Sequence, residues 1–142
     1  MLEPSSAAIR LVFVYGTLRR GDVRDINRLH PSPRFVAMGK IAGTLYDLGP
    51  YPGIVLGGAG RVVGEVYEVS LELERVLDEI EEVWPQQTGE YQKREVTVQG
   101  VESRVSDSQE LHCFVYEIST NRIQGCPVIA SGDWMFERQP FQ

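Results

Sequence analysis

Ser70-Leu71-Glu72-Leu73-Glu74-Arg75-Val76-Leu77-Asp78-Glu79-Ile80-Glu81-Glu82-Val83-Trp84-Pro85 is the stretch that decides the fold class, because its apolar residues recur at helical spacing while its neighbours read as strands. Ser70 offers an N-cap hydroxyl, and Glu72 and Glu74 place acids in the first turns, where they complement the helix dipole. Leu73, Val76, Leu77, Ile80, Val83 and Trp84 form one apolar stripe, and Pro85 stops the helix. Upstream, Leu11-Val12-Phe13-Val14-Tyr15 is a short continuous apolar run suited to a strand buried on both faces, ended by Gly16. Further strands are expected over 39–45, 53–56 and 61–69, separated by turns at 49–52 and 57–60. Two more, 91–98 and 111–118, follow the helix, joined by a polar hairpin loop over 100–110. The arginine-rich stretch after Leu18 reads as loop with one short helix around 22–30, and the ends at 125–127 and 131–134 read as irregular. Roughly six or seven short strands around one long helix is an α+β pattern: a mixed β-sheet curled into a small barrel with one main helix packed on it. Residues 1–9 are expected to be a flexible tail and 10–142 a single domain.

With 142 residues, 42% of them hydrophobic, the chain is long enough to bury one core. Twenty acidic against fourteen basic residues leave a net charge of −6, which disfavours nucleic acid as a partner. The two cysteines, Cys113 and Cys126, make no CxxC pair and fit a reducing, cytoplasmic setting. No apolar run approaches the ~20 residues of a membrane span, and the first residues lack a signal-peptide pattern, so no membrane partner is expected.

Elimination narrows the chemistry. His30 and His112 have no second ligand at metal-binding spacing, so no metal is expected. No GxSxG stretch announces a serine nucleophile. Gly57-Gly58-Ala59-Gly60-Arg61 lacks the Lys-Ser/Thr of a phosphate loop and reads as a tight turn.

Two features remain. Tyr15-Gly16-Thr17-Leu18 leads from a strand into glycine, where consecutive outward N–H groups would bind a carboxylate or phosphate if glycine adopts the required φ. A plain strand-to-turn transition would use the same residues. The second feature is the acidic helix end. Glu81 lies on the border of the apolar stripe, where burial and the negative end of the dipole would raise its pKa toward that of a general base. Glu72 and Glu79 flank the stripe at similar angles, and a solvated acidic face explains all three equally. Helical phase points Glu82 to solvent.

The chain resembles the γ-glutamylcyclotransferase family, in its AIG2-like branch that includes γ-glutamylamine cyclotransferases. The resemblance rests on Val14-Tyr15-Gly16-Thr17-Leu18-Arg19-Arg20-Gly21, Leu45-Tyr46-Asp47-Leu48-Gly49, Tyr51-Pro52, Val63-Gly64-Glu65-Val66-Tyr67-Glu68-Val69, Leu77-Asp78-x-x-Glu81, Tyr91-x-x-Arg94 and Ser131-Gly132-Asp133-Trp134, in that order. It implies that Tyr15, Gly16, Thr17 and Leu18 bind a substrate's glutamyl part and that Glu81 is the catalytic acid/base. Tyr51 and Tyr91 would wall the pocket. The implied reaction is a cofactor-free intramolecular aminolysis releasing 5-oxoproline from a small γ-glutamyl amine or peptide. One departure is that the family usually has glycine where this chain has Glu82. The competing reading is a non-catalytic small-molecule-binding or interaction domain that keeps the same cavity. RNA binding through Arg19, Arg20, Arg24, Arg28 and Arg34 lacks interleaved aromatics, and Asp22 and Asp25 dilute it. The pocket is expected between the basic loop and the acidic helix end.

Overall fold

Strand β1 (Ile9–Val14) carries the run expected to be buried on both faces, and Val12, Phe13 and Val14 are all buried. The computed structural model describes residues 9–101 and 110–137. The expected tail, apart from Ile9, and most of the expected hairpin loop over 100–110 lie outside the described residues. β1 is followed by a 3-10 turn at Ile26–Arg28, then β2 (Arg34–Asp47), β3 (Pro52–Ser70), helix α1 (Leu71–Ile80), β4 (Tyr91–Val101) and β5 (Glu110–Ile118). A 3-10 turn at Thr120–Arg122 and a short helix α2 (Trp134–Glu137) complete the described chain.

The strands close into a barrel in the order β1-β3-β2-β4-β5. All neighbouring pairs are antiparallel except β5 with β1, where Val12 faces Phe114 in parallel register and shuts the barrel. The sheet is therefore mixed, and α1 is its one main helix. Closure removes the free strand edges that would otherwise template aggregation.

Alternation along β1 divides the core in two. Phe13 and Tyr15 point into the barrel with Ile41, Leu45, Ile54, Val62, Val66 and Val115. Val12 and Val14 point outward, under Leu73 and Leu77 of α1. Both leucines are fully buried, each contributing roughly 1.5–3 kcal/mol, which seats the helix on the barrel wall.

Two expectations are corrected. The glycine stretch at 57–60 does not separate two strands: pairing jumps from Ala42↔Arg61 to Gly43↔Leu56, so it bulges from one continuous strand β3. Gly57 and Gly58, at φ 96° and 83°, supply the left-handed backbone that the bulge requires. The helix also ends earlier than its apolar stripe, at Ile80, with Glu81 as C-cap. Trp84 consequently lies beyond the helix and is 52% exposed.

Candidate active site

Four segments meet over the end of the barrel: the loop after β1, the turn between β2 and β3, the C-terminus of α1, and the chain entering β4. Between them lies a cavity of about 240 Å³. It is lined by all seven residues singled out in the sequence, namely Tyr15, Gly16, Thr17, Leu18, Tyr51, Glu81 and Tyr91. Arg24 of the basic loop and Glu81 and Glu82 of the helix end stand on its walls together.

The loop is a tight turn in which the Arg19 amide donates to the Gly16 carbonyl at 3.0 Å, and the Arg24 amide to that of Thr17 at 3.0 Å. The amides of Gly16, Thr17 and Leu18 have no acceptor among the described residues. Three successive free N–H groups beside a cavity form a concavity for an oxyanion or a carboxylate. Glycine is required at 16 for a reason other than the one expected. Its φ is not positive; instead, a Cβ there would sit 2.7 Å from Cγ of Pro52. The Tyr15 hydroxyl is committed to the barrel, donating to the Tyr116 carbonyl at 2.7 Å and accepting from the Ile54 amide at 3.3 Å. Tyr15 therefore anchors the loop, and Leu18 is buried in the cluster beneath α1.

Glu81 is part-buried at the helix C-cap, its amide donating to the Leu77 carbonyl at 2.9 Å. Its carboxylate has no hydrogen-bond or ion-pair partner among the described residues. Desolvation raises its pKa from the ordinary 4.5 to about 7; Arg24 opposes the shift, while Glu90 and Glu82 add to it. The neighbouring acids behave differently. Glu72 and Glu79 are exposed, and Glu74 is ion-paired with Arg10 and Lys93. Three-dimensional packing thus separates Glu81 from acids that helical phase could not.

The far wall is aromatic. Tyr91 donates its hydroxyl to the Pro52 carbonyl at 2.9 Å, and Tyr51 donates to the Glu90 carboxylate. Their rings lie 6.4 Å apart. Burial pushes the Tyr91 phenol far above its ordinary range, so it stays neutral.

Glu82 is exposed to solvent as expected, but through a backbone turn and not through helical phase, and it also reaches the cavity rim. The helix ends in a Schellman pattern, with the Glu82 amide on the Glu79 carbonyl at 3.2 Å and the Val83 amide on that of Asp78 at 3.0 Å. Glu82 occupies the left-handed position of that pattern, at φ 59°, which turns it back to the cavity rim. Helical phase no longer applies there. Glu82→Gly should relieve the backbone and stabilise the protein by about 1 kcal/mol, or roughly 2–5 °C in thermal denaturation. An unchanged or lower midpoint would show that the left-handed residue carries no strain.

Sequence reasoning missed two contributors. Arg24 was one of five arginines with nothing to single it out. The others are engaged elsewhere: Arg19 with Glu65, Arg28 with backbone carbonyls, Arg34 with Glu68, and Arg20 over the Phe35 ring. The second contributor is the brace under the loop, where Asp133, from the Ser131–Trp134 stretch read as irregular, accepts from Arg19 Nη1 at 2.9 Å. Among the described residues no group of His, Cys, Asp and Glu is placed to hold a metal, and no helix is long and apolar enough to cross a membrane.

Residues 12–136 match the family model "Gamma-glutamyl cyclotransferase, AIG2-like". The gamma-glutamylaminecyclotransferase of Homo sapiens is 35% identical over 133 residues, covering 78% of this chain and 79% of that protein. The gamma-L-glutamyl-butirosin B gamma-glutamyl cyclotransferase of Niallia circulans is 42% identical over 72 residues, covering 50% of this chain and 45% of that protein. The crystal structure of an AIG2-like protein from Mus musculus superimposes with a TM-score of 0.67 at 31% identity, covering 84% of this chain and 85% of that one.

Proposed function

We propose, from the premise that this chain belongs to the AIG2-like gamma-glutamyl cyclotransferase family, that it releases 5-oxoproline from a small γ-glutamyl amine by intramolecular aminolysis at Glu81. The observation that carries this reading is the unpartnered, desolvated Glu81 carboxylate opening on the same cavity as the free amides of Gly16, Thr17 and Leu18.

In the reaction, Glu81 takes a proton from the substrate's α-ammonium. The freed amine attacks the side-chain carbonyl, forming the ring C–N bond and an oxyanion. Loop amides stabilise that oxyanion. The intermediate collapses as the bond to the leaving nitrogen breaks; the protonated Glu81 gives its proton to that nitrogen, and the ring nitrogen's second proton passes to the departing amine, which leaves as an ammonium. A pKa of about 7 suits both halves of the cycle, since the group is available as base and as acid near neutrality. Ring closure is intramolecular, so the cavity's main task is to hold the substrate bent, with its amine near the carbonyl. Arg24 supplies a cation on the cavity wall for the substrate's α-carboxylate.

Incubation with a panel of γ-glutamyl amines, γ-glutamyl amino acids and glutathione, with 5-oxoproline measured, tests the reading. Release from at least one compound is expected. A blank panel accompanied by tight binding of an unmodified compound would replace the enzyme with a binding domain. Gly16→Ala should raise KM strongly and cost about 1–3 kcal/mol of stability, because the new methyl meets the Pro52 ring and displaces the loop. An unchanged KM in that variant would remove the loop from the binding site.

A further inference from the structure

Glu74, Asp78 and Glu81 follow one another at helical spacings of four and three residues, so one face of α1, continued into its C-cap, carries three acids. The sheet answers two of them. Lys93 of β4 and Tyr116 of β5 are partners in the strand register and so stand on the same side of the sheet. Lys93 Nζ pairs with Asp78 at 3.0 Å and also with Glu74, and the Tyr116 hydroxyl donates to Asp78 Oδ1 at 2.7 Å. Tyr116 also lines the cavity in which Glu81 stands. Resting on the cyclotransferase reading, we propose that Tyr116 is a further catalytic residue, its hydroxyl oxygen accepting from the substrate's α-nitrogen and orienting it for ring closure. Asp78, held by Lys93, is the positioning residue that fixes this hydroxyl as an acceptor.

The proton inventory carries the argument. A phenol has one proton to give. That of Tyr116 is committed to Asp78, and the oxygen accepts from no group among the described residues. Burial, reinforced by the Asp78 carboxylate, holds the phenol far above its ordinary pKa, so the proton is not lost. Toward the cavity the oxygen can only accept. A substrate α-ammonium has only N–H groups to offer. One proton goes to Glu81, whose charge is near enough to act on the phenol. A second N–H on Tyr116 leaves the nitrogen's new lone pair to be aimed at the side-chain carbonyl. This N–H is the one that the lactam keeps.

Asp78 is not needed to place the ring. Phe114 packs against it edge-on with centroids 5.7 Å apart, and the Tyr15 hydroxyl donates to the Tyr116 carbonyl at 2.7 Å. What Asp78 adds is the direction of the hydroxyl proton. The other tyrosine free to accept in the cavity, Tyr91, gives its proton to the neutral Pro52 carbonyl. A carboxylate polarises the O–H bond more strongly, which makes the Tyr116 oxygen the better acceptor of the two.

Two measurements test the assignment. Tyr116→Phe should lower kcat/KM for γ-glutamyl butylamine about 10- to 100-fold. Asp78→Asn should lower it about tenfold, because an amide N–H can donate to the phenol and let it turn its own proton into the cavity. The double variant should be no worse than Tyr116→Phe, since Asp78 acts only through that hydroxyl. Affinities are measured by calorimetry on Glu81→Gln protein for γ-glutamyl butylamine and for N-butylglutaramic acid, the same molecule without its α-amine. Adding Tyr116→Phe should weaken the first about tenfold and leave the second unchanged, whereas a merely structural loss would weaken both.

Native kcat/KM in Tyr116→Phe would overturn the role of Tyr116 and leave the reaction standing. A native rate in Asp78→Asn, or losses that add in the double variant, would overturn the role of Asp78. An amine-dependent affinity that disappears with Tyr116→Phe, with no 5-oxoproline from any native sample, would leave the contact standing and overturn the reaction. Absence of both turnover and amine-dependent affinity would overturn both. An amine-dependent affinity lost with Tyr91→Phe but kept with Tyr116→Phe would move the contact to Tyr91 and overturn the assignment.

Discussion

Glu81→Gln is expected to lower 5-oxoproline release by about 10²- to 10⁴-fold while making the protein more stable in mildly alkaline buffer, and the two effects share one cause. The carboxylate is desolvated without a partner, so the folded state resists its ionisation and its pKa stands near 7 instead of 4.5. Between those values the folded protein holds a proton that the unfolded chain has already lost. Stability therefore falls as pH rises through that window, and above pH 7 the ionised group costs on the order of 2–3 kcal/mol. Glutamine keeps the shape and removes the charge. Denaturation of the variant and the native protein at pH 8 should show that gain for the variant, and the difference should vanish below pH 4.5. In the native enzyme kcat/KM should climb with pH to a plateau, with its midpoint near 7. Arg24 opposes the shift by favouring the carboxylate, so Arg24→Met should move the midpoint upward. Full turnover in Glu81→Gln would remove Glu81 from the chemistry. A stability difference independent of pH would remove the desolvation account.

Local periodicity explains which parts of this protein are legible in its sequence. β1 and α1 announce themselves because consecutive residues share one environment, and Val12–Val14 and the Leu73–Leu77 stripe are buried as their pattern requires. The bulge at 57–60 looks like a turn locally. Only its pairing with Ala42 and Gly43 makes β3 one strand. The helix end is misjudged for a related reason. Val83 and Trp84 continue the apolar spacing, yet the chain has already turned through the left-handed Glu82. That one residue moves Trp84 off the stripe, leaving it half exposed, and sets the solvent-exposed Glu82 at the cavity rim. At the site, the loop and Glu81 could be named because the resemblance carried them, whereas residue types alone left Glu72 and Glu79 as equal candidates. Arg24 and the Asp133 brace depend on contacts between distant segments, for which local pattern holds no signal.

Arg19 is where that long-range brace can be broken with the largest structural consequence. Its side chain is almost fully buried, with Nε on Glu65 and Nη1 on Asp133, both at 2.9 Å. Glu65, itself buried, also accepts from the Arg20 amide at 3.0 Å and the Tyr67 hydroxyl at 2.9 Å, and Asn27 donates to that hydroxyl at 3.1 Å. The β1 loop, the middle of β3 and the start of α2 are thereby tied to one guanidinium. Arg19→Met leaves the Glu65 carboxylate buried without its cation, at a cost of about 3–5 kcal/mol, or a fall of roughly 10–20 °C in the thermal midpoint. Arg19→Lys should recover little, because an ammonium cannot reproduce the planar fork that spans two carboxylates. Arg19→Met combined with Glu65→Gln should recover part of the loss, since the stranded charge is gone while the Arg20 amide and Tyr67 hydroxyl keep an acceptor. Assayed well below its midpoint, the single variant should show a raised KM with the pH midpoint of Glu81 unmoved, because the brace positions the loop and touches no reacting atom. A loss under about 1 kcal/mol, the range of an exposed ion pair, would show that the loop holds its shape without Arg19.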